Sequence, residues 1–398
     1  MRLDELQAAL RARGVDGWLF YDHHQRDAIA YRILGLPASM ATRRWYYLVP
    51  AQGAPRKLVH RIEAAALDSL PGERREYAPW SELTAGLRHL LAALPLHAKV
   101  AMQYSPGCEL PAVSLADAGT VEQIQALGCN VVSSADLISR FDAGWTPAML
   151  DSHRRAGAVI DSAIAAAWTE VRRALDAGAP LTEYELQQWI QDRLVKGGLA
   201  CEEPPIVGVN AHAGDPHYQP GAQGAAATQA GDLLLLDVWG RRDEPDSAYY
   251  DVTWVGYCLR PGETAVPERF AKIFALAAVA RDTGIRHVQE AVAARRKICG
   301  FEVDQSVRGV ITAAGLGEFF VHRTGHSLGR QIHATGANID DYETHDVRQI
   351  LPQSAFTIEP GIYCPRGEPF GVRTEVNVFV GDEVAEVTGP IQREIVRI

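Results

Sequence analysis

The chain has 398 residues, 47% of them apolar and 22% charged, and its 49 acidic side chains against 39 basic ones give a formal net charge of −10. Composition of this kind supports a sizeable core spread over two or three domains. An acidic chain without a basic run is not built to hold nucleic acid or an anionic membrane.

The opening stretch, MRLDELQAALRARG, is charged and amphipathic and has no apolar core of the signal-peptide type. No run approaches the roughly 20 apolar residues of a membrane span. A cytoplasmic address is the expectation. The six cysteines (Cys108, Cys129, Cys201, Cys258, Cys299, Cys364) form no C-x-x-C pair, which points to reduced thiols rather than a disulfide or zinc framework.

Residues 1–147 alternate helix-like and strand-like segments: LDELQAALRARG as helix, DGWLFYD and RRWYYLVP as strands, SELTAGLRHLLAAL as helix, KVAMQY and NVVSS as strands. That alternation predicts an α/β layer. His23 and His24, after a strand-like run, read as surface or interface residues. Pro147 after Thr146 marks a helix start and a domain boundary. Two helices are expected next, SHRRAGAVIDSAIAAAWTEVRRAL and TEYELQQWIQDRLV. Strands follow in PPIVGVN, DLLLLDVWG and AYYDVTWVGYCL, then a long helix over PERFAKIFALAAVARDTGIRHVQEAVAARR. SAFTIEPGIY and GVRTEVNVFVG read as two closing strands. Helices on one side of a mostly antiparallel sheet predict an α+β domain over 148–398, and a two-part duplication of helix pair and hairpin is compatible with this order but not established by it.

Those strands carry acids where acids do not belong. Asp237 closes LLLLDVW, Asp251 sits in YYDVTWV, Glu359 ends AFTIEP and Glu375 lies in VRTEVNVFV. A carboxylate in a buried run costs several kcal/mol unless a cation or a hydrogen-bond network compensates it. Arg373 is the sole basic residue in these strands, and strand alternation places it on the face of Glu375. Four carboxylates and one neutral histidine sum to −4, the charge of two divalent cations. Oxygen-rich donors with a single imidazole suit manganese, magnesium, iron or cobalt better than a thiolate-type zinc site.

HRTGHSLGRQIHATG, residues 322–336, gathers His322, His326 and His333. The four-residue step from His322 to His326 would suit one helix face, but Gly325 and Gly329 argue for a turn instead. GHSLG matches the G-x-S-x-G serine elbow, yet Asp340, Asp341 and His345 all follow Ser327 within eighteen residues. The elbow fold places strands and helices between its triad members.

Taken in order, Asp237, Asp251, His326, Glu359 and Glu375, within LLLDVWG, YYDVTW, HRTGHSLG, TIEPGIY and VRTEV, resemble the ligands of the pita-bread metallopeptidases. That group includes methionine aminopeptidase, aminopeptidase P and prolidase. The resemblance covers about residues 148–398, and residues 1–147 are similar to the amino-terminal domain of prolidase and creatinase. The whole chain most resembles a compact bacterial Xaa-Pro dipeptidase.

The resemblance implies two divalent metals, manganese first, with cobalt, zinc or iron as other occupants. Asp237 would chelate one metal, Asp251 and Glu375 would bridge the pair, and His326 and Glu359 would complete the second. A hydroxide bridging the metals would attack the scissile carbonyl, with Glu359 handling the proton. His322 and His333 would stabilise the tetrahedral intermediate or bind a small peptide substrate. His217, in GDPHYQP, would contact the substrate near the scissile bond, and Arg373 would bind its carboxylate or hold Glu375. A homodimer is also implied.

The chain departs from the group's D-x-G after the first ligand, reading Asp237-Val238-Trp239-Gly240, and GRRDEPDSA lengthens the following hairpin. Asp243 and Asp246 are therefore rivals to Asp251. Aminopeptidase P is the alternative activity, and a metal-free creatinase-like hydrolase or a non-catalytic binding module are more remote ones.

Overall fold

The computed structural model describes residues 2–37 and 41–398. The chain parts into two compact units, Met1–Asp142 and Ala143–Ile398. The parting point precedes the helix start at Pro147 because Trp145 is anchored in the second unit. Its backbone N–H donates to Gln353 O (2.6 Å) and its indole N–H to Leu328 O (2.9 Å).

In chain order the first unit comprises α1 (Leu3–Arg13), β1 (Gly17–Asp22), α2 (Ala28–Leu34), β2 (Trp45–Pro50), β3 (Arg56–His60) and β4 (Glu73–Tyr77). It continues through α3 (Trp80–Leu91), β5 (Lys99–Met102), α4 (Ala118–Ala126), β6 (Asn130–Ser133) and α5 (Ala135–Phe141). The strands form one mixed sheet, ordered β4-β3-β2-β1-β5-β6. Alternation decides which face each residue covers. Trp18 and Phe20 of β1 enter one apolar cluster, Leu19 and Tyr21 the other. Helices cover both faces, which is why β1 and β2 are buried along their whole length. The edge strand β4, ERREY, is exposed and charged, a composition that discourages pairing with other chains.

The second unit begins with α6 (Pro147–Asp176) and α7 (Glu183–Lys196), followed by β7 (Leu199–Ala200), β8 (Ile206–Val209), β9 (Leu233–Arg242) and β10 (Tyr250–Tyr257). A second helix pair, α8 (Glu268–Ala293) and α9 (Gly300–Ala313), precedes β11 (Ser327–Leu328) and β12 (Ser354–Ile358). The remaining strands are β13 (Gly361–Cys364), β14 (Phe370–Arg373), β15 (Val376–Val380), β16 (Ala385–Val387) and β17 (Val396–Arg397). One sheet runs β17-β10-β9-β7 with β8 also on β9, a second runs β11-β12-β15-β16, and β13 pairs with β14.

Local chemistry sets the helices. Thr146 caps α6, accepting the Met149 N–H, with Pro147 in the first turn. Thr182 and Glu185 form a reciprocal capping box on α7, and a cap of this kind contributes about 1 kcal/mol. One face of α6 (Ala156, Ile160, Ala163, Ile164, Ala167) packs with Leu234, Leu236 and Val238 of β9. Gly157 lets α6 approach β10 closely, since a β-carbon there would lie 2.6 Å from the Tyr250 ring. The Tyr250 hydroxyl then donates to Asp161 (3.0 Å). His153, fully buried, bridges Tyr249 O and the Thr388 hydroxyl, each at 2.6 Å.

The two closing segments differ from the expected single strands. SAFTIEPGIY divides into β12 and β13 at Glu359-Pro360, and GVRTEVNVFVG into β14 and β15 at Thr374-Glu375. Proline lacks the N–H that would continue a ladder. Arg281, fully buried on α8, donates to the Thr374 hydroxyl (2.5 Å) and holds the second break. A 3₁₀ turn over Gly317–Phe319 leads into the segment that carries His322. None of the six cysteines is joined in a disulfide. Among the described residues no helix is long and apolar enough to cross a membrane.

Candidate metal centre

Strand alternation delivers the first acids. Leu236 and Val238 of β9 point into the helix-side core, so Asp237 and Trp239 take the opposite face and line a cavity of about 710 Å³. Antiparallel register sets Thr253 of β10 opposite Asp237, and Asp251, two residues earlier, shares the face of Thr253. The Asn377 side chain clamps the Asp251 backbone to the second sheet, accepting its N–H (3.1 Å) and donating to its carbonyl (2.6 Å).

The other donors come from strand ends. His326 immediately precedes β11, Glu359 follows β12, and Glu375 precedes β15. Gly325 admits the β12 backbone, for a β-carbon there would overlap the Thr357 carbonyl oxygen. Thr357 fixes two donors at once, its hydroxyl accepting the His326 N–H (2.9 Å) and donating to Glu359 Oε1 (3.1 Å). His326 Nε2 reaches Asp251 Oδ2 at 3.3 Å and Glu359 Oε1 at 3.5 Å. Asp251, His326 and Glu375 each offer a donor atom within 4.8 Å of the others.

All nine residues singled out in the sequence line this one cavity: Asp237, Asp251, His326, Glu359, Glu375, His217, His322, His333 and Arg373. The rivals do not. Asp243 is exposed, and Asp246 pairs with Arg330 (2.9 Å) on the hairpin. Neither belongs to the cavity wall. The serine-elbow reading finds no triad either. Ser327 Oγ accepts the Gly336 N–H, while His345 pairs with Asp341.

The polar groups between the acids are shared. Thr253 Oγ1 donates to Glu375 Oε2 (2.7 Å) and accepts from Arg373 Nε (3.0 Å). Arg373 Nη2 donates to Asp237 Oδ2, and Nη1 reaches the Tyr363 hydroxyl at 3.4 Å. Because the strand breaks at Thr374, unbroken alternation is not what relates Arg373 to Glu375; both bond to Thr253. His322 is engaged on both sides, Nδ1 with Arg323 O (2.7 Å) and Nε2 with the Tyr363 hydroxyl (2.8 Å). The His333 ring stands edge-on to His326, centroids 4.4 Å apart. Tyr363, Thr253, Thr357 and Asn377 went unnoticed in the sequence. Thr253 and Thr357 each stand two residues from an acid, on its face, and that period could have found them.

Burial dominates the electrostatics. It pushes Asp237 up to about 6, against the pull of Arg373, and Asp251 up to about 7. Burial and the charges of Asp251, Glu359 and Asp237 hold Glu375 well above the usual carboxylate range. Burial drives His322 down to about 3, the Arg373 charge adding to the effect. Among the described residues, Asp251 Oδ1 and Glu375 Oε1 are buried with no hydrogen-bond partner. Two orphaned carboxylate oxygens beside a buried imidazole fit a hard divalent cation. Arg373 offsets one of the four carboxylate charges. The remaining three exceed what a single dication neutralises.

A pH signature follows. Between the ordinary carboxylate range and about pH 7, the folded metal-free chain keeps protons that the unfolded chain has released. Its stability from these groups therefore falls as pH rises. A cation must expel those protons to bind. The rise in Tm on adding Mn²⁺ is expected to be larger at pH 8 than at pH 5.5. Melting curves with and without metal at the two pH values check this, and an equal rise at both would contradict it.

A profile for metallopeptidase family M24 matches residues 151–382. The chain is 26% identical over 369 residues to a Mycobacterium tuberculosis protein named "Probable dipeptidase PepE", covering 92% of this chain and 88% of that one. It is 28% identical over 274 residues to an Xaa-Pro dipeptidase of Lactobacillus delbrueckii subsp. lactis, covering 64% and 66%. The crystal structure of dipeptidase PepE from Mycobacterium ulcerans superposes with a TM-score of 0.69 at 24% identity, covering 100% of this chain and 97% of that one.

Proposed function

Because the chain belongs to metallopeptidase family M24 and has its pita-bread fold, we propose that it is an Xaa-Pro dipeptidase working with two divalent cations, manganese first among them. The observation that carries this reading is the convergence of Asp237, Asp251, His326, Glu359 and Glu375 on one cavity, with two buried carboxylate oxygens left unpaired. The names of the relatives support the substrate class. We assign catalysis to residues 148–398 and the prolidase-type amino-terminal domain to 1–147. A cytoplasmic homodimer is the setting we favour.

Asp237, Asp251, His326, Glu359 and Glu375 would hold the cations. When bound, such a pair polarises a carbonyl and acidifies a water. The remaining work belongs to the chain. Glu359, hydrogen-bonded by Thr357 and beside His326, is the group to take up and return a proton. His217 and His333, exposed on the cavity wall, would meet the substrate and the developing oxyanion. His322 joins them on that wall while tethering Tyr363. We assign Arg373 first to holding Asp237. Nη1, whose bond to Tyr363 is the longer one, is its remaining arm for a substrate carboxylate.

Xaa-Pro bonds suit this chemistry because they lack the amide N–H that other peptidases recognise. The test compares Ala-Pro with Ala-Pro-Ala. Cleavage of Ala-Pro, lost on chelation and restored by Mn²⁺ or Co²⁺, is the expected result. Cleavage of the longer peptide alone would favour aminopeptidase P, and cleavage of neither with metal present would end the reading.

A further inference from the structure

His217, Asp215 and Gln219 reach the cavity from a stretch between β8 and β9 whose regular structure is limited to the single turn His212–Gly214 and an isolated bridge from Ala227 to Thr182. A stretch this long loses much conformational freedom on ordering, so something must hold it. Gln187 of α7 reaches Gln219 (3.3 Å) and Thr182 bridges Ala227, but the side chain that gathers most of the contacts is one fully buried carboxylate, that of Glu183 at the first residue of α7.

The Glu183 carboxylate is hydrogen-bonded at four points between Val209 and Ala226. Oε1 accepts the Val209 N–H (2.7 Å) and the His212 Nδ1–H (2.8 Å). Oε2 accepts the Tyr218 hydroxyl (2.6 Å) and the Ala226 N–H (2.8 Å). The backbone N–H of Glu183 also donates to Ala226 O (2.9 Å). Val209 is the last residue of β8, and Ala226 lies seven residues before β9. His212 and Tyr218 lie within it, their rings stacked at 4.2 Å. Tyr218 is the immediate neighbour of His217. None of the metal-site donors bonds to Glu183, so the two sets of contacts are separable.

We propose that Glu183 is a positioning residue that holds the His217 segment against the cavity, acting on substrate through His217 and not on the cations. The kinetic half of this proposal rests on the peptidase reading. The structural half does not.

Glu183→Gln keeps the volume but replaces one acceptor oxygen with a donor, leaving a backbone N–H, that of Val209 or that of Ala226, facing an NH2 group. In the full chain, hydrogen exchange of amides 209–226 is expected to quicken at least tenfold, with exchange elsewhere and Mn²⁺ stoichiometry unchanged. On Ala-Pro, kcat/KM is expected to fall at least tenfold, chiefly through KM. The Glu183→Gln/His217→Ala double variant is expected to match His217→Ala alone within twofold, because both changes remove one function. Unchanged exchange at 209–226, exchange that quickens everywhere, or losses that multiply in the double variant would each overturn the proposal. If the wild type cleaves no Xaa-Pro peptide, the peptidase reading falls, and the exchange comparison still decides the clamp. Should Glu183→Gln fail to fold, Tyr218→Phe removes one partner and leaves the carboxylate. A localised quickening supports the proposal there, and none overturns it.

Discussion

Asp251→Asn is expected to lower kcat/KM on Ala-Pro by roughly three orders of magnitude or more, the scale of losing several kcal/mol of charge stabilisation by metal. Asparagine keeps the shape of the side chain but cannot become an anion, and Asp251 is one of the three donors whose atoms lie closest together. Stability should move the other way. Above about pH 7, where Asp251 has lost its proton, the metal-free protein sets its charge against Glu375, Asp237 and Glu359, so removing that charge relieves repulsion. Metal-free Asp251→Asn should melt at or above the metal-free wild type, yet lose the rise in Tm that Mn²⁺ gives. Asp243→Asn and Asp246→Asn, on the exposed hairpin, should keep activity within twofold. Metal analysis, calorimetry and initial rates on the three variants decide it. Full activity in Asp251→Asn with loss in Asp243→Asn or Asp246→Asn would transfer the role to the hairpin.

Gly325→Ala is expected to destabilise the second unit by about 3 kcal/mol, lowering Tm by on the order of 10 °C. The added methyl would overlap the Thr357 carbonyl, and the clash is with backbone rather than a side chain that can swing away. Relief requires β12 and the His326 segment to move apart, which breaks the 2.9 Å bond between His326 N–H and the Thr357 hydroxyl. Metal affinity should fall with stability. Gly309→Ala, in α9, is the control with the opposite sign, because nothing lies within 4 Å of the added carbon. Alanine favours a helix interior over glycine by about 1 kcal/mol. Equal Tm values for the two variants would refute the argument.

The site was more legible than the strands that carry it. An acid inside LLLLDVW is visible in one dimension because strand faces repeat every two residues and a buried charge needs a reason. The division of SAFTIEPGIY and GVRTEVNVFVG was not visible in the same way. Pro360 offered a hint, but Thr374 yields to Arg281, which is 93 residues away in the chain. α9 was missed because GFEVDQSVRGVITA holds two glycines and several β-branched residues, so its helical character comes from packing Val303, Val307 and Ile311 on the core rather than from propensity. β4 was missed for the converse reason, since an exposed charged edge carries no apolar alternation. The support from Thr253, Thr357, Asn377 and Glu183 depends on residues far apart in the chain meeting in space, and no local pattern encodes that.

The slot that Gly157 opens for Tyr250 reaches beyond packing. Tyr250 adjoins Asp251, and its hydroxyl is tied to Asp161 one turn further along the 30-residue α6. The long helix and the donor strand are thereby latched together at a point where neither can shift alone. A displacement of that helix would therefore be felt at the backbone next to Asp251, which places the geometry of the carboxylate cluster under the control of a helix that lines none of the cavity.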